Sequence, residues 1–81
     1  MSAKEMFEKL DFKFEEQTDT YIAYGNRGSF EDCFVCFELN WKYIKCFYNK
    51  KYENSDSFPL EVTNELLQAI NKQIEELGWN K

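Results

Sequence analysis

The sequence contains no histidine. A Ser-His-Asp or Cys-His catalytic site and any His-ligated metal centre are thereby excluded. Proline occurs once and glycine three times, which excludes a disordered Pro/Gly-rich chain. No apolar run approaches the roughly 18 residues that span a bilayer as a helix. Residues Met1 to Glu8 hold no apolar core of a signal peptide. A cytoplasmic protein without membrane association is therefore expected. The three cysteines, Cys33, Cys36 and Cys46, are odd in number, and free thiols are the reading that a reducing compartment favours.

Aromatic residues, by contrast, are abundant. They make up 19% of the 81 residues, against 43% for all hydrophobic types. Such side chains give a short chain bulky groups with which to fill a core. A domain of this length buries only about 60% of the surface its unfolded chain exposes. A single domain over residues 1–81 is expected, with little volume for a deep catalytic cleft. Fifteen acidic residues against ten basic ones leave a formal charge of −5.

Hydrophobic periodicity sets the order of elements. Ser2 and Glu5 have the spacing of a capping box. Ala3, Phe7 and Leu10 follow at i, i+4 and i+7 with Met6 beside them, which predicts a helix over 3–10. Strands are predicted over 12–17, 20–24, 33–39 and 43–48 from alternation and β-favouring composition. Thr18-Asp19 and Asn40 mark turns, and Gly25-Asn26-Arg27-Gly28-Ser29 is the strongest loop signal in the chain. On the third strand Cys33, Val35, Phe37 and Leu39 share one face, and Phe34, Cys36 and Glu38 the other. Both faces of the fourth strand carry aromatic or aliphatic groups, so its inward face stays open. Residues 49–59 read as a polar connection. Thr63 caps a second helix whose stripe is Leu66, Leu67, Ile70, Ile74 and Leu77, with Ala69 alongside. Gly78 stands where a left-handed terminal residue is wanted, so Trp79 should fold back onto Ile74. Together these predict an α+β two-layer domain: a four-stranded antiparallel meander flanked by an N-terminal and a C-terminal helix, both on one sheet face.

The two ends carry a resemblance. Lys4-Glu-Met-Phe-Glu-Lys-Leu10 resembles the opening of small proteins common in phages and prophages of low-GC Gram-positive bacteria (Firmicutes). Leu67-Gln-Ala-Ile-Asn-Lys-Gln-Ile-Glu-Glu-Leu-Gly-Trp79 resembles their closing helix. The resemblance covers about a quarter of the chain. It implies a mobile-element origin and a bacterial cytoplasm, and it brings no activity or residue role with it.

Three groups of residues are candidates for function. Cys33 and Cys36 form a C-x-x-C motif with Cys46 further on. On a strand, residues three apart point to opposite faces about 10 Å apart, beyond the roughly 7 Å that a disulfide allows. Three buried or half-buried free thiols are expected, with neither metal nor cofactor. The second group lies in residues 41–52, which hold four lysines and no acid. There Trp41, Lys42, Tyr43, Lys45, Phe47, Lys50 and Lys51 interleave rings with cations, as a single-stranded nucleic-acid binder would. The alternative is a strand whose lysines discourage edge-to-edge pairing. The third group is acidic: Glu15, Glu16, Asp19, Glu31 and Asp32 early in the chain, and Glu75 and Glu76 on the last helix. Adjacent carboxylates such as Glu15 and Glu16 should not share a strand face, which argues against paired acid-base catalysis.

The function these features favour is non-enzymatic: an accessory protein that binds another protein. Phe34, Trp41, Tyr43, Glu15, Glu16 and Asp19 are the expected contact residues. An inhibitor of a host or defence factor is one form this would take. A homodimer would bury surplus aromatics equally well. Single-stranded nucleic-acid binding through residues 41–52 and a purely structural role are the alternatives.

Overall fold

The computed structural model describes residues 1–52 and 56–79. The chain runs through helix α1 (Ala3–Lys9), strands β1 (Lys13–Gln17), β2 (Tyr21–Arg27), β3 (Glu31–Glu38), β4 (Tyr43–Lys50) and β5 (Phe58–Pro59), and helix α2 (Asn64–Leu77). The strands form one antiparallel sheet in sequence order. The α+β class and the flanking helices are as the periodicity predicts. None of the described helices is long and apolar enough to cross a membrane.

Local chemistry accounts for the helix boundaries. The Ser2 Oγ accepts from the Glu5 N–H at 3.2 Å, while the Glu5 carboxylate accepts from the Ser2 N–H at 3.0 Å. That reciprocal cap satisfies two of the helix's four orphan donors. The Ala3 N–H goes to Oε2 of Glu76 at 2.8 Å, so α2 caps the start of α1. At the far end Asp11 takes φ 65, a left-handed conformation that aspartate tolerates better than most residues. The Thr63 hydroxyl caps α2 by accepting from the Leu66 N–H at 3.1 Å. Gly78 closes α2 at φ 74, and Trp79 donates back to the Ile74 carbonyl at 3.2 Å.

Both helices cover one face of the sheet. Phe7, Phe12, Ile22, Tyr24, Val35, Phe37, Leu66, Ala69 and Ile70 form the core. The Phe7 ring stacks on Tyr24 with centroids 4.0 Å apart and meets Phe37 edge-on at 6.1 Å. Cys33, Leu39, Ile44, Cys46 and Trp79 pack against this cluster. The inward face of β4 is therefore the one carrying Ile44 and Cys46.

Four particulars of the sequence reading need correction. Gly25, Asn26 and Arg27 belong to β2, and the turn is confined to Gly28, Ser29 and Phe30. A glycine inside a strand is accommodated because a neighbouring side chain, that of Glu15, occupies the space above it. A fifth strand exists: Phe58 and Pro59 pair with Tyr48 and Phe47 inside what reads as a polar connection. Proline is admissible there because the strand is at the sheet edge. Asn54 and Ser55 of that connection lie outside the described residues. Leu67 is 46% exposed and lies off the buried stripe of α2, whereas Gln73 is buried. The fourth correction concerns Glu15 and Glu16, which a bulge in β1 turns to the same side.

Candidate functional site

The helices leave the opposite face of the sheet uncovered, and strand register places its residues in rows. Tyr21, Glu38 and Tyr43 are cross-strand neighbours at one end. The next row is Glu16, Ala23, Cys36 and Lys45, one residue from each of β1 to β4. Gly25, Phe34 and Phe47 follow, and Arg27, Asp32 and Asn49 close the far end. The face thus has a small and aromatic centre, with charge toward its edges. It forms an open concavity of about 360 Å³ over Ala23, Phe34, Cys36 and Phe47.

A bulge in β1 brings Glu15 and Glu16 to the same side. The register steps from Phe14 opposite Tyr24 to Glu16 opposite Ala23, which leaves Glu15 as the extra residue. An inserted residue breaks the alternation of a strand, so two successive side chains can share a face. Both carboxylates border the concavity, against the expectation from simple alternation. Glu16 accepts a hydrogen bond from the Tyr21 hydroxyl, which raises the Tyr21 pKa above its ordinary value.

Arg27 organises one end of the face. Its Nη2 contacts Oε1 of Glu15 at 2.8 Å, and its Nη1 lies 3.5 Å from Oδ2 of Asp32. The guanidinium also stands 4.8 Å from the centroid of the Phe34 ring. The hydrogen bond that Arg27 donates to Glu15 is the main reason its pKa is raised. Phe34 in turn packs on Phe47, its cross-strand partner, at 5.3 Å between centroids. Such cross-strand aromatic pairs add roughly 0.2–1 kcal/mol relative to alanine. At the other end Lys45 reaches Glu38 at 4.0 Å and lies 5.6 Å from the Tyr43 ring.

The expected contact residues are only partly brought together. Glu15, Glu16 and Phe34 border or line the concavity. Tyr43 lies at its Glu38 end. Asp19 and Trp41 occupy the β1–β2 and β3–β4 turns, which meet where the Leu39 N–H donates to the Thr20 carbonyl at 2.9 Å. Trp41 is 79% exposed there. Glu76 is engaged in capping α1 instead of belonging to an acidic docking face.

The Lys/aromatic segment does not make one strip. Lys45 and Phe47 face the concavity. Lys50 lies 5.1 Å from the Phe58 ring, off that face, and Lys51 contacts Asp32 at 3.4 Å. Lys42 sits in the β3–β4 turn at φ 56. A nucleic-acid strand following β4 would meet Glu38 and Asp32 beside the very lysines it needs.

The cysteines divide as alternation requires. Cys33 and Cys46 pack toward the core, and Cys36 opens onto the concavity. All three are free, and burial raises the pKa of each. Thiols held protonated at neutral pH are poor nucleophiles and poor metal ligands. Among the described residues no group of three or more Cys, Asp or Glu side chains is placed to hold a metal ion.

Sequence reasoning missed Arg27, Tyr21 and Ala23 as parts of this face. Their signal was the alternation Tyr21, Ala23, Gly25, Arg27, hidden because Gly25 to Ser29 reads as a loop. No family model matches the chain, and no curated protein or solved structure was found to be similar to it.

Proposed function

We propose that this chain is a non-enzymatic accessory protein that acts by binding another protein through the uncovered face of its sheet. The observation that carries the reading is the pair Phe34 and Phe47, left outside the core with Cys36 and Ala23 beside them. An apolar centre within a polar, hydrogen-bonded border is the anatomy of a protein interface. The outward carboxylates support a binding role over a catalytic one, since Glu15, Glu16 and Glu38 are engaged with Arg27, Tyr21 and Lys45. The terminal segments 4–10 and 67–79 are what suggest a phage or prophage setting.

Capture from a bacterial lysate tests the reading, with the full chain compared against Phe34→Asp and Trp41→Ala. Proteins retained by the unaltered chain and lost with the folded Phe34→Asp variant are the expected result. Identical sets for all three baits would overturn it. Loss with Trp41→Ala alone would move the contact to the turn end of the sheet.

A further inference from the structure

We infer that the partner seated on the uncovered face presents a basic segment there and sets an arginine side chain beside Glu16, over Ala23. This inference rests on reading the face as a protein-binding surface, and it names the chemistry of what binds.

Glu16 stands apart from the other carboxylates of the concavity. Glu15 is tied to Arg27 at 2.8 Å, and Glu38 reaches Lys45 at 4.0 Å. Glu16 has a neutral donor, the Tyr21 hydroxyl, and no ion pair among the described residues. A carboxylate has about four acceptor positions, and one hydroxyl fills one of them. Water satisfies the rest while the face is open, since Glu16 is exposed. A partner that covers the face removes that water, and a charge left there without compensation opposes binding. The partner therefore has to bring donors to Glu16, and a cation brings them with matching charge.

The balance of charge points the same way. Three carboxylates and two cations border the concavity, which leaves one negative charge over. Both cations are already returned to carboxylates, Arg27 to Glu15 and Asp32, and Lys45 to Glu38. The chain as a whole carries −5, which draws a basic partner and repels a polyanion.

Arginine suits the floor better than lysine. Ala23 and Cys36 share the row of Glu16 and leave open space above them, and Phe34 lies two residues from Cys36 on β3. A planar guanidinium bonds a carboxylate through two N–H groups while its flat side rests on an aromatic ring, which an ammonium cannot do. The face already holds one such arrangement built from its own residues: Arg27 donates to Glu15 with its guanidinium 4.8 Å from the Phe34 centroid. A concave surface also calls for a protruding side chain opposite it.

The test is a titration of the isotope-labelled full chain with the blocked tripeptide acetyl-Gly-Arg-Gly-amide, read by amide chemical shifts, with the lysine and glutamate tripeptides as comparisons. Shifts concentrated at the Ala23 and Cys36 amides are expected from the arginine peptide, weaker ones from the lysine peptide and none from the glutamate peptide. Glu16→Gln keeps an acceptor for Tyr21 and should weaken arginine-peptide binding about threefold, the scale of one exposed ion pair. Glu75→Gln removes the same charge from α2, on the other side of the sheet, and should leave binding unchanged. Both positions are exposed, so neither variant threatens the fold. Absent shifts, shifts spread equally over the carboxylates of α2, equal losses in the two variants, or a lysine or glutamate peptide as good as the arginine one would each overturn the inference. None of these results touches the wider reading of the face, which falls only if Phe34→Asp leaves lysate capture unchanged.

Discussion

The Tyr24 hydroxyl donates a 2.6 Å hydrogen bond to Oε1 of Gln73, joining the middle of β2 to the buried side of α2. Tyr24 is 3% exposed and Gln73 6%, so water cannot replace either partner. A buried group left without its partner costs about 1–3 kcal/mol, whereas removing both partners together is close to neutral. Gln73→Leu should therefore lower unfolding stability by about 1–3 kcal/mol, and adding Tyr24→Phe should recover part of that loss. Urea unfolding of the two single variants and the double variant measures this. Strictly additive losses would contradict the pairing.

The same tyrosine makes stability sensitive to alkali. Burial, reinforced by the charges of Glu76 and Glu8, pushes its pKa up from 10.0 to about 12. A raised folded-state value means the folded chain holds a proton that the unfolded chain gives up. The contribution is complete below pH 10 and is lost as pH rises toward 12. It amounts to an order of 2–3 kcal/mol at ~1.4 kcal/mol per pH unit. Urea midpoints measured across that range should fall less steeply for Tyr24→Phe than for the unaltered chain.

Gly78 ends α2 at φ 74, which lets Trp79 bond to Ile74 and set its ring 6.2 Å from Phe37. A Cβ in that conformation costs about 1 kcal/mol. Gly78→Ala should lower stability by about that amount and Gly78→Asn by less, since asparagine tolerates the left-handed region. Thermal unfolding checks the order; alanine equal to glycine would contradict it.

The thiols should be slow. Burial raises the pKa of all three, so alkylation by iodoacetamide near neutral pH should be much slower in the native chain than in guanidinium. Mild oxidation should leave Cys33 and Cys36 unlinked within one chain. Mass spectrometry of an oxidised monomer that has lost two hydrogens across this pair would contradict the strand geometry.

Much of the architecture was legible in the sequence because the relevant interactions are local. The Ser2–Glu5 box, the Thr63 cap and the Gly78 terminus involve residues within a turn of one another. Alternation sorted Cys33, Val35, Phe37 and Leu39 from Phe34, Cys36 and Glu38, and the packing follows that division. Where the reading failed, a distant residue had changed the meaning of a local signal. Gly25 reads as a turn residue until Glu15 is seen above it. Phe58 and Pro59 read as connection until β4 pairs with them.

The sequence by itself determined the order of the two helices and the first four strands, the helix ends and the side of β3 on which each residue lies, since periodicity and capping are properties of neighbouring residues. Only the tertiary structure decided which sheet face the helices cover and that a bulge turns Glu15 and Glu16 to the same side. It also set the rows in which Arg27, Phe34 and Lys45 meet their partners. Those outcomes depend on strand register, which is set by pairing between residues far apart in the chain.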